Sequence, residues 1–306
     1  MRTVFVVLVV LSVSAAGLAC APVNTGSSPV ASSSPAASRS PVRSSRPALG
    51  SNGPVAGPND LVLRIERVGA SRTPGRALAE LPPFSLYGDG RIISPGLEPD
   101  LYPRPALPSL EVGRLRPAGL EQVLQAARSA GLVGPDRVLP RPLHEVADSP
   151  SIVFRLWTEG GFHTTTAPSL VDAPPNTPER QALLTLHEKL VVDRWSWLGH
   201  GLEPGGGPYA WDRLRVVAVP DDPSSAPVPE RTRVIDWPAT TLLQRFGEAV
   251  PEEGPGVRCG VLAGADLATL RPALAASHEL TFWRSGGLTF RLLLRPLLPD
   301  ESICTS

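Results

Sequence analysis

The chain has 306 residues, with 29 basic and 29 acidic side chains and no net charge. The balance is uneven: Arg2, Arg39, Arg43 and Arg46 precede Asn59 and no acidic residue does, so residues 59–306 carry a net charge of −4. A mildly acidic region without a basic run argues against nucleic acid as a partner, and its length is ample for a real core.

Met1-Arg2 gives a positive start, and Val4 to Ala19 then runs apolar for 16 residues. That is too short for a spanning helix, which needs about 20 residues, but it suits the hydrophobic region of a signal peptide. Small residues lead up to a cysteine in Ala16-Gly17-Leu18-Ala19-Cys20. Bacterial lipoprotein signals end this way, so 1–19 reads as the signal peptide and Cys20 as the lipidated first residue of the mature chain. Gly17 departs from the usual leucine three places before the cysteine; the alternative is ordinary secretion with Cys20 incidental. Acyl chains contribute roughly 0.8 kcal/mol per buried CH₂, so two or three of them make a lasting anchor. From there to Pro58 Ser, Pro, Ala and Gly dominate and no aromatic residue occurs. Such a segment cannot bury enough surface to offset chain entropy, so 20–58 reads as a disordered stalk. As a flexible coil it spans on the order of 35 Å, and about 120 Å fully extended.

The remainder, 59–306, reads as one extracytoplasmic α+β domain, with any subdivision falling near 200–212. Leu61 to Val68 alternates apolar and polar, the pattern of a half-buried strand. A hairpin follows, Phe84 to Tyr87 and Arg91 to Ile93 around Gly88-Asp89-Gly90. After a Pro-rich stretch comes a strand near Leu110 to Leu115. Pro117 opens a helix with an apolar face of Leu120, Val123, Leu124 and Ala127, stopped at Gly131. A second hairpin spans Ser151 to Thr166. Thr177 caps another helix, which runs to about Trp197 with Leu183, Leu186, Leu190 and Val191 inward. Beyond the Gly-rich loop from Gly199 to Pro208 lie a strand at Leu214 to Val219 and a short helix ending at Phe246-Gly247. A strand at Val257 to Leu262, a helix at Asp266 to Ser277 containing Pro272, and a third hairpin over Leu280 to Leu294 complete the pattern. Hairpins interspersed with three or four helices predict a mainly antiparallel sheet. The order strand, helix, hairpin recurs at about 110–166 and 257–294, which suggests two similar halves.

With Cys20 lipidated, Cys259 and Cys304 remain, an even number in an oxidising compartment. One disulfide is the direct reading. Two free thiols at a metal or redox site is the competing one, and it lacks a CxxC or a neighbouring histidine pair. The sequence has no GxSxG elbow and no His-Glu-x-x-His: His144-Glu145 and His187-Glu188 each lack the second histidine, and His187 reads as a helix-surface residue. Lys189, the sole lysine, is not in a phosphate loop. The pairs Asp221-Asp222, Glu252-Glu253 and Asp300-Glu301 are adjacent, in Pro-rich loops, and read as solvated charge rather than an acid/base couple. Trp195, Trp197 and Trp211 cluster near the Gly-rich loop and are the candidate ligand platform, since indole faces stack on sugars and cations. Trp157, Trp237 and Trp283 read as structural. No catalytic residue, metal site or cofactor emerges.

The segments LPPFSLYGDGRII (81–93), VRCGVLAGAD (257–266), FWRSGG (282–287) and RPLLPDE leading to Cys304 resemble those of uncharacterised secreted lipoproteins of high-GC Gram-positive bacteria, of the actinomycete type. The resemblance covers most of 59–304 and keeps the segment order. It implies a paired Cys259 and Cys304 and no activity. The expectation is a lipid-anchored, non-catalytic module on the outer face of the cytoplasmic membrane, with an envelope protein or wall component as partner. An extracellular enzyme with a dispersed active site, or a carbohydrate or small-molecule binder, is the alternative.

Overall fold

The computed structural model describes residues 57–69, 73–142, 147–159, 161–302 and 304. The leader, Cys20, the stalk up to Ala56 and the His144-Glu145 pair lie outside the described residues. In chain order the elements are β1 (Leu61–Val68), α1 (Arg76–Ala79), β2 (Phe84–Tyr87), β3 (Arg91–Pro95), β4 (Leu110–Arg114), α2 (Pro117–Ser129), β5 (Arg137–Val138), β6 (Ser151–Thr158), β7 (Gly161–Pro168), α3 (Pro178–His187), α4 (Arg194–Leu198), β8 (Gly207–Pro208), β9 (Arg213–Pro220), β10 (Arg233–Asp236), β11 (Glu248–Ala249), β12 (Arg258–Ala263), α5 (Gly264–Ala275), β13 (Thr281–Ser285) and β14 (Leu288–Pro296).

The class is α+β, but the strands form two sheets where the sequence suggests one. The first has the order β5-β7-β6-β1-β2-β3-β4-β8 and the second β10-β13-β14-β9-β12-β11. Neighbours are antiparallel except β5 beside β7 and β10 beside β13. The chain passes from one sheet to the other between Pro208 and Arg213. The recurring strand–helix–hairpin order is present in both, yet the halves are not topological copies. The first strand of hairpin β6–β7 joins β1, whereas the second strand of hairpin β13–β14 joins β9.

Local chemistry sets the helix limits. Pro117 occupies the first turn of α2, where a missing N–H costs nothing, and Gly131 follows its end with φ of 78°. The Thr177 side chain accepts from the Arg180 backbone N–H at 3.2 Å, capping α3. The expected continuous run to Trp197 is interrupted: α3 ends at His187, a π-helical turn covers Glu188–Val192, and α4 restarts after Asp193.

Each sheet has one face under helices. Leu63, Ile65, Phe84, Leu86, Ile152 and Phe154 meet Val123 and Ala127 of α2 and Leu183 and Leu186 of α3. Leu214, Val216, Phe290 and Leu292 meet Leu267, Leu270 and Leu274 of α5, and Trp283 stacks edge-on to Trp237 with centroids 5.6 Å apart. The opposite faces are also covered. Leu298 packs with Leu61, Tyr87 and Ile93 of the first sheet, and Leu78 of α1 and Cys304 pack with Val217, Val219 and Leu293 of the second. The segment after β14 therefore touches both sheets, and β1 is buried on both faces rather than one. Among the described residues no helix is long and apolar enough to cross a membrane.

Candidate functional site

The Gly-rich loop becomes a site through its pairing with β4. The Glu203 N–H donates to Arg114 O at 2.8 Å, and two pairs further along the ladder resumes with Val112 opposite Gly207 and Glu111 opposite Pro208. Between these points Gly113 alone faces Pro204, Gly205 and Gly206. The extra residues arch away from β4, as in an enlarged β-bulge, a device common beside functional sites. The loop is moored upstream by close backbone contact, because a Cβ on Gly119 of α2 would lie 2.3 Å from Gly201 O.

The arch leaves a groove of about 300 Å³, lined by Glu111, Val112, Gly113, Trp195, Leu202, Glu203, Gly206 and Gly207. Trp195 reaches it from α4, shortly after the π-helical turn, a rare element that is frequent at functional sites. The residue is 42 % exposed. Its indole is held in place by the Arg194 guanidinium, 4.5 Å from the ring centroid. It also lies against β4, where a Cβ on Gly113 would come 2.9 Å from Cζ3. Arg194 Nη2 donates to Glu111 Oε1 at 2.8 Å and Nη1 to Leu190 O at 3.4 Å. Burial lowers the Arg194 pKa, and the Glu111 charge opposes the shift. At the open end Arg114 Nε lies 3.8 Å from Glu203, while its Nη1 donates to Asp89 O at 2.8 Å. The lining therefore combines an indole, aliphatic surface and two carboxylates already engaged by arginines, with no hydroxyl, thiol or imidazole.

A second ionic assembly joins the two sheets. Arg64 of β1 donates to Ser85 Oγ at 3.1 Å, to the Tyr87 hydroxyl at 3.1 Å and to Asp300 Oδ1 at 2.8 Å, and Tyr87 donates to Asp300 at 2.8 Å. Arg295 pairs with Glu301, which also accepts from the Leu298 N–H at 3.1 Å. Arg215 stands directly across the strand pair from Arg295 and donates to Leu78 O at 2.9 Å. Like charges in register are unfavourable, and burial compounds it. Burial, together with Arg295 and Arg64, pulls the Arg215 pKa down to about 10, with Glu301 opposing. Burial also lowers Arg295, countered chiefly by Glu301. Burial lowers Arg64 too, but Tyr87, Asp300 and Glu301 outweigh it and hold the guanidinium above its ordinary value. Burial drives the Tyr87 phenol far upward.

The Asp300-Glu301 pair is accordingly not solvated charge. Its side chains are 22 % and 11 % exposed and supply the counter-charge of the layer between the sheets. His187 differs from its expected place as well. It is 8 % exposed rather than on the helix surface, and burial, then Arg67, lowers its pKa. Cys259 and Cys304 are disulfide-bonded, with Cα atoms 5.7 Å apart. The three candidate tryptophans occupy different surroundings. Trp195 lines the groove. Trp197 packs on the first core with Lys189 Nζ 5.7 Å from its ring. Trp211 packs on the second core beneath Arg271, 4.1 Å from its ring. Glu111, Gly113, Arg194 and Glu203 carry no motif; only the glycine density of 199–207 marks their place. Among the described residues no group of three or more His, Cys, Asp or Glu is arranged to hold a metal ion. No protein-family model, curated protein or solved structure matches the chain.

Proposed function

We propose that this chain is an exported lipoprotein of the bacterial envelope: anchored by acyl chains on Cys20, carried on the 20–58 stalk, and equipped to recognise a ligand rather than transform it. The observation that carries this reading is the Cys259–Cys304 bond. Structural disulfides persist in oxidising compartments and are rare in the cytosol, and this one lies downstream of an apolar leader that ends in a cysteine. Pairing those two leaves Cys20 as the third cysteine of the chain, free for acylation. The recognition half of the reading rests on the groove beside Trp195, whose lining offers an indole face and hydrogen-bonding partners.

The tether is tested by Cys20→Ala in the native host. The expected outcome is loss of the mature chain from the membrane fraction and its release to the medium. A variant that stays wholly with the membrane would show that acylation is not what holds it.

A further inference from the structure

We infer that the groove between β4, β8 and α4 is a saccharide subsite that takes one neutral sugar ring of a glycan. This rests on the reading of the folded part as a recognition module and names the ligand class of the same site.

The groove's volume of about 300 Å³ stands at the low end of small-molecule pockets, enough for one ring and its hydroxyls rather than a peptide segment. Trp195 presents indole surface fixed by Arg194 and by the absence of a side chain at Gly113, so little conformational freedom is lost when a ligand settles on it. Val112 and Leu202 extend the apolar lining. Glu111 and Glu203 then add acceptors, and Arg114, outside the lining with its Nη groups on Asp89, leaves its Nε beside Glu203 as a donor.

The charge pattern decides among ligand classes. Two carboxylates face two arginines, and the site is balanced. A cationic ligand must compete with Arg194 for Glu111 and with Arg114 for Glu203. An anionic ligand meets both carboxylates. A wholly apolar ligand strips water from charged groups and returns no hydrogen bonds, which is costly. A neutral sugar suits all three features: its C–H face lies on the indole, its hydroxyls donate to the carboxylates, and its oxygens accept from the guanidinium. Because Trp195 is partly open to solvent, adjoining rings of the glycan can continue beyond the groove.

The test uses the full chain extracted from membranes, titrated calorimetrically with neutral pyranose and furanose oligosaccharides and with their uronate- and amino-sugar counterparts. Saturable binding of a neutral oligosaccharide is expected, weakened about tenfold by Trp195→Ala and less by Trp195→Phe. Trp211→Ala, on the other core, is expected to leave it unchanged. Glu203→Gln, an exposed change that should leave the fold intact, is the second variant and must also weaken binding. The inference is overturned if no neutral oligosaccharide binds, if charged ones bind as well or better, or if Trp195→Ala binds like the unsubstituted chain. Failure here with release of Cys20→Ala to the medium leaves the anchoring reading standing. Binding of a neutral oligosaccharide together with a Cys20→Ala chain that stays wholly with the membrane overturns the anchor and keeps the subsite.

Discussion

Two of the places where arginine meets carboxylate in this molecule, the layer between the sheets and the groove, are built for different ends. Between the sheets, Arg64, Arg215 and Arg295 are almost wholly buried, and the carboxylates that pair with Arg64 and Arg295 lie in one short segment, Asp300-Glu301. Beside the groove the pairs grade from the nearly buried Arg194–Glu111 to Arg114–Glu203, whose side chains are each 44 % exposed. The difference teaches how to assign them. A buried charge must be neutralised where it stands, so its partner is structural; a rim charge keeps water and can exchange it for a ligand.

That contrast predicts a graded set of outcomes. The largest belongs to Glu301→Ala, which strips Arg295 of its carboxylate and leaves like charges opposed in register. A loss of about 3–5 kcal/mol is expected, as for other broken buried pairs, read from the denaturant midpoint. Cys304→Ser is next. It frees the segment that delivers the two carboxylates and is expected to cost about 2–4 kcal/mol. Because both changes act on one segment, the double variant should lose less than their sum. At the rim, Glu203→Gln should move stability by less than about 1 kcal/mol. A loss comparable to that of Glu301→Ala would erase the distinction drawn here.

The smallest effect is a pH dependence. His187 titrates lower in the fold than its ordinary 6.5 because of burial and Arg67. The unfolded chain therefore binds this proton first as pH falls below that value, and stability, full above it, declines until the folded pKa is reached. His187→Gln should remove that part of the acid-side decline in midpoints measured between neutral pH and pH 5, leaving the decline due to other groups.

Much of the backbone was legible because its signals are local. Alternation marks β1, Pro117 and Gly131 bracket α2, Thr177 caps α3, and Gly-containing turns join β2 to β3, β6 to β7 and β13 to β14. What escaped depends on partners distant in sequence. Periodicity alone gives Arg64 a solvent-facing place, because nothing near it announces that residues 236 positions later will cover it. The same distance made Asp300-Glu301 look like loop charge. Short edge strands such as β5, β8 and β11 carry too few residues for a pattern, and β10 is identified only by lying parallel to β13. The groove was half legible: the glycines and Trp195 stand out, whereas Glu111 and Gly113 acquire meaning only once β4 is known to be the strand beside the loop.

The separation between Arg64 and Asp300 also orders events during synthesis. A growing chain completes β1 and its neighbours, with their apolar faces ready for α2 and α3, long before the acidic residues exist. Until they emerge, bringing the two sheets together would bury Arg64 and Arg295 without the carboxylates that pair with them. The domain is thereby disposed to close late, after Asp300 and Glu301 have been made.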